Sequence, residues 1–132
     1  MANASQSSSR LNILYCEGDM DVIEEHAAAV KAAGHAVDTV VGRKPVEEAC
    51  KAKAYDLVVL GPTVSKNDRH HLPYMIKKAH ETTRVLVMHT DGERHPSVDA
   101  NLDTGRTVQD LVAKIAELWP KQQMAKGAGA GR

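Results

Sequence analysis

The chain has 132 residues, a length that suits one compact domain built on one core. Hydrophobic residues make up 42% and charged residues 26%, both ordinary for a soluble globular protein. Lys+Arg and Asp+Glu balance at 17 each, with no run of Lys or Arg, so the charge carries no footprint for nucleic acid or an anionic membrane.

In chain order, residues 1–10 (MANASQSSSR) are polar and rich in serine, the composition of a disordered tail. Leu11 to Cys16 (LNILYC) is a short strand-like run closed by Glu17, Gly18 and Asp19. From Met20 to Ala33, Ile23, Ala27 and Val30 share one stripe while Glu24, Glu25 and Lys31 lie elsewhere. That pattern predicts an amphipathic helix, with Gly34 just past its end as a stop. HAVDTVV alternates apolar and polar residues, as a half-exposed strand does. RKPVEEACKAKA places Pro45 near a helix start and Val46, Ala49 and Cys50 inward.

DLVVL is a continuous apolar run, expected for a strand covered on both faces, and Gly61 and Pro62 stop it. A third helix follows, with Asn67 or Asp68 as the expected cap and Leu72, Met75, Ile76 and Ala79 as its inner face. Pro73 suits only a first turn, so a start later than Asp68 is also expected. RVLVMH (Arg84 to His89) is a fourth buried strand, TDGERHPSVD a loop, and ANLD a short fifth strand. Thr107 to Trp119 carries Val108, Leu111, Val112, Ile115 and Leu118 at helical spacing and ends at Pro120. Residues 120–132, rich in Gly and Ala, read as a second flexible tail, leaving 11–119 as the domain.

Strands that alternate with helices predict an α/β fold with a parallel sheet and helices on both faces. The functional surface should then lie outside the carboxyl ends of the strands, at EGD, GPTVS and HTDG. Cys16 and Cys50 form neither a CxxC nor a zinc spacing, and both fall in segments expected to be buried. No HxxxH or HExxH spacing occurs among the seven histidines, so no metal site is expected from them. His89 stands apart from the other histidines because it sits at a strand's carboxyl end. GPTVSKND lacks the lysine order of a phosphate loop, and Ser65 has no base at a predictable distance. No signal peptide precedes the first strand and no apolar run approaches about 20 residues, so the expected location is cytoplasmic.

Leu11 to Leu60, with its acidic turn after the first strand, its AAGHAV turn and its AYDLVVL strand, resembles the first half of receiver domains of bacterial response regulators. The resemblance extends more weakly to Leu118. It implies a flavodoxin-like, doubly wound parallel five-stranded sheet in the order 2-1-3-4-5. It also implies a chemistry: phosphoryl transfer from a histidine kinase to an aspartate at the end of strand three. That transfer relies on magnesium held by carboxylates, a charge-stabilising lysine, and a hydroxyl near the end of strand four.

Carried over position by position, the phospho-acceptor falls on Gly61, which has no side chain. The acidic pair falls on Glu17 and Gly18, with Asp19 following. The hydroxyl falls on His89, or on Thr90 after a shift of one residue, and the lysine falls near Thr104. The span from His89 to Asp103 is too short for a full fourth helix, which is expected to be shortened or missing.

The resemblance therefore implies a degenerate receiver that is not an enzyme and needs no cofactor. Glu17 and Asp19 remain as a residual acidic pocket, weak candidates for a cation, and Thr63, His89, Thr90 and Thr104 line the strand ends. The expected role is a stand-alone signalling protein acting by contact with a protein partner, such as a histidine kinase or downstream effector. A homodimer is compatible with that role. Two alternatives stay open: a receiver phosphorylated on a displaced carboxylate (Asp56, Asp68 or Asp91), and a flavodoxin-like sensor of a small ligand or nucleotide.

Overall fold

The switches in apolar period resolve into five strands and four helices in a computed structural model that describes residues 10–88, 97–102 and 107–119. They are β1 (Asn12–Glu17), α1 (Met20–Ala32), β2 (Ala36–Val41), α2 (Arg43–Ala52), β3 (Leu57–Leu60), α3 (Lys66–Ala79), β4 (Arg84–Val87), β5 (Ala100–Asn101) and α4 (Val108–Leu118). Apart from Arg10, the expected tails lie outside the described residues, as do His89, Thr90, Asp91 and Thr104. Among the described residues no helix lies between β4 and β5, and none is long and apolar enough to cross a membrane.

The sheet order is β2-β1-β3-β4-β5 with every neighbouring pair parallel, the doubly wound arrangement expected from the alternation. Alternate side chains of the central strands go to opposite faces. Ile13, Tyr15, Leu57, Val59 and Leu86 pack with Ile23 and Val30 of α1 and Leu111 and Ile115 of α4. Leu14, Cys16, Val58, Leu60 and Val85 pack on the other side with Val46 and Cys50 of α2 and Leu72 and Ile76 of α3. Both cysteines are free and buried, and burial pushes both thiols up, so they act as small apolar groups.

Helix ends follow capping chemistry. Asp19 accepts from the Asp21 N–H at the start of α1, and Thr107 and Asp110 form a reciprocal capping box on α4. Gly34, at φ +104°, supplies the left-handed turn after α1. The start of α3 corrects the expectation. Ser65 caps the helix by accepting from the Asp68 N–H, so α3 begins at Lys66 and Pro73 lies inside it. Pro73 is buried, and that burial works against the cost of the backbone hydrogen bond the ring cannot donate. At the far end, the Arg84 guanidinium donates to the Leu118 carbonyl at 2.6 Å and lies 4.6 Å from the Trp119 ring, which closes α4 over the core edge.

His35, between α1 and β2, accepts the Leu11 N–H on Nδ1 at 3.2 Å and must be neutral there to do so. Partial burial holds its pKa below the ordinary imidazole value of about 6.5. With the folded value depressed, the unfolded chain takes up the proton first, so the contribution of His35 is complete above about pH 6.5 and declines below it. Denaturant melts across that range should show the wild type losing more stability on acidification than a His35→Gln variant.

Candidate functional site

The register of the central strands builds the site. Cys16 pairs with Leu60, and Leu60 with Val87, so Glu17, Gly61 and Met88 form the next row across the carboxyl ends. The backbone continues that row, with the Gly61 N–H donating to the Cys16 carbonyl at 2.7 Å and the Met88 N–H to the Leu60 carbonyl at 2.9 Å. Side-chain alternation places positions 15, 17, 59 and 61 on the α1/α4 face. An acid and a glycine therefore stand side by side on adjacent strands, and the acid leans over the glycine.

Glu17 is 1% exposed, and its carboxylate is fully engaged. Oε1 accepts from the Thr63 hydroxyl at 2.6 Å and the Thr63 N–H at 3.0 Å. Oε2 accepts from the Tyr15 hydroxyl at 2.6 Å and lies 3.2 Å from His26 Nδ1. His26 Nδ1 is also 2.9 Å from the Tyr15 oxygen, whose only proton goes to Glu17, so Nδ1 is the protonated nitrogen of that ring. Burial, and then the bond to Glu17, push the Tyr15 phenol far above its usual value, which keeps it a donor. Met88 Sδ lies 3.7 Å from the same hydroxyl.

Thr63 ties the β3–α3 loop to the β1–α1 turn. Its hydroxyl donates to Glu17 and accepts from the Gly18 N–H at 2.9 Å and the Asp19 N–H at 3.0 Å, so its bonding capacity is used in full. Close packing follows at both glycines of the turn. A Cβ on Gly61 would fall within the Glu17 carboxylate, and a Cβ on Gly18 would meet the Thr63 carbonyl oxygen. Neither glycine has a positive φ, so both are required by space and not by backbone conformation. At both positions the room a side chain would need is already filled.

Glu17 and Asp19 do not converge. Glu17 points inward, whereas Asp19 is exposed and turned to the α1 N-terminus as its cap. Among the described residues no three His, Cys, Asp or Glu side chains group as a metal would require. Of the displaced carboxylates, Asp56 accepts the Asn12 N–H at the opposite end of the sheet. Asp68 lines a narrow pocket between the β1 end, α2 and α3, with Cys16, Glu17, Gly18 and Gly42. Sequence reasoning missed Tyr15 and His26. The available signal was positional, since Tyr15 is two residues before Glu17 on the same face and His26 flanks the inner stripe of α1.

No family model matches the sequence, and no curated protein matches it. Among solved structures, the chain is similar to a two-component response regulator from Clostridium difficile at 19% identity and TM-score 0.72, covering 86% of this chain and 98% of that one. It is similar to a CheY-like receiver domain protein from Methanospirillum hungatei at 14% identity and TM-score 0.72, covering 86% and 97%. The receiver domain of a sensor histidine kinase from Pseudomonas aeruginosa, which has a magnesium ion coordinated in its active-site cleft, matches at 11% identity and TM-score 0.67, covering 82% and 96%. At these identities the likeness speaks for architecture alone, and with the five-stranded order found here it establishes that the chain has the fold of a response-regulator receiver domain.

Proposed function

We propose that this chain is a receiver-like signalling module whose phosphoryl-transfer site is closed by its own Glu17, and that it acts by protein–protein contact independent of phosphorylation. The observation that carries the reading is the Glu17 carboxylate lying in the space in front of Gly61, where the family's aspartate would project. Phosphoryl transfer to a receiver needs an oxygen nucleophile in line with the donor and a cation beside it. Gly61 offers no nucleophile. Glu17 is buried with both oxygens accepting from Tyr15, His26 and Thr63, which leaves it unable to serve as nucleophile or open metal ligand without dismantling that network. A partner, such as a histidine kinase or a downstream effector, would then read the fold's surface in one fixed state.

Incubation with acetyl phosphate and magnesium, followed by intact-mass measurement, tests this reading. The expected result is an unchanged mass; stable addition of one phosphoryl group, mapped to Asp68 or another carboxylate, would overturn it.

A further inference from the structure

The overall charge balance conceals an uneven distribution. Helices α2 and α3, which cover one face of the sheet, carry seven cationic residues against three acidic ones, a net of +4. Helices α1 and α4, which cover the opposite face, carry two cationic residues against five acidic ones, a net of −3. Pairs within each face, Arg43 with Glu47 and Lys114 with Glu117, cancel internally and leave those totals unchanged. Lys44, Lys51, Lys66 and Lys78 are exposed on the basic side, and Asp21, Glu24 and Glu25 on the acidic side. None of these seven is in an ion pair with another described residue.

Each face also presents one large apolar side chain. Tyr74 is 56% exposed on α3, four residues before Lys78 and eight after Lys66, and Met20 is 71% exposed at the start of α1. Exposed aromatic and methionine side chains are enriched at interfaces, where they supply contact area within a charged rim.

From these two complementary faces we infer that the basic α2/α3 face docks the acidic α1/α4 face of a second copy of this chain. Because the faces lie on opposite sides of the sheet, the contact is heterologous and leaves one face of each kind open at the ends. Such a contact extends into a stack or closes as a ring. The second copy fits because it carries, on one surface, both the opposite charge and the exposed apolar residue that the α2/α3 face lacks a partner for. The inference is independent of the state of the Glu17 site.

Sedimentation velocity of the full chain over a concentration series, at low and high salt, tests it. The expected result is a mass that rises with concentration at low salt, with association weakening by about tenfold or more once the Debye length falls from about 30 Å to below about 10 Å. Two variants, Lys66→Glu/Lys78→Glu on the basic face and Glu24→Lys/Glu25→Lys on the acidic face, should each be folded by circular dichroism and monomeric alone. Mixed in equal amounts they should associate again, since the first variant keeps its acidic α1/α4 face and the second keeps its basic α2/α3 face. A wild type that stays monomeric at low salt, association insensitive to either reversal, or failure of the mixture to associate would overturn the proposal. Binding of fluorescent duplex DNA by the basic face without self-association would also overturn it, and would assign that face to a polyanion.

Discussion

Gly61→Asp, which places a carboxylate at the carboxyl end of β3, should destabilise this protein by about 4 kcal/mol and create no phospho-acceptor. The backbone at Gly61 can take any residue, so the penalty is one of space and charge. The new side chain would start within the Glu17 carboxylate. Glu17 can swing aside only by leaving Tyr15, His26 and Thr63, and two carboxylates would then share one dry row of the sheet. Gly61→Ala adds the carbon without the charge and should cost about half as much. The telling comparison is the double variant. In a Glu17→Ala background the space is open, so Gly61→Asp should cost about 2 kcal/mol less than it does alone. Urea unfolding of the four proteins measures this coupling, and additivity would mean that Glu17 does not hold the space.

Glu17→Ala is expected to destabilise by about 2–4 kcal/mol, because it leaves the Tyr15 hydroxyl, the Thr63 hydroxyl and N–H, and the His26 N–H without their acceptor. Release of a buried carboxylate works in the opposite direction, which keeps the cost below the sum of four lost bonds. Glu17→Gln keeps the shape and one carbonyl oxygen and should cost about 1–2 kcal/mol. The local signature is faster amide hydrogen exchange at Gly18, Asp19 and Thr63, since the Thr63 hydroxyl that accepts from the two turn amides is itself oriented by Glu17. Unchanged exchange in Glu17→Ala would place the anchor of that loop elsewhere.

Strand and helix order, the parallel sheet and most core positions were legible in the sequence because each rests on a local period or cap. Val46 and Cys50 on α2, and Leu111 and Ile115 on α4, face inward as their spacing predicts. The start of α3 differs from the sequence reading because Pro73 weighs there by its backbone cost alone, while its burial in the assembled fold is a tertiary fact. That position 61 carries no side chain was visible as a letter in the chain. What the sequence could not display was the tenant of the space. That depends on the register of β1 against β3, which sets Glu17 beside Gly61, and on the loop that carries Thr63 across to meet it. Only the assembled sheet distinguishes a vacated site from a filled one.

The most direct test of that distinction is an amide NMR titration of the wild-type protein with magnesium and then beryllofluoride, a phosphoryl mimic that needs an open carboxylate and a bound cation. A closed site predicts that the amides of Glu17, Gly18, Gly61 and Thr63 keep their positions through both additions. Saturable shifts at those four amides would mean that the site opens and binds, and would contradict the account.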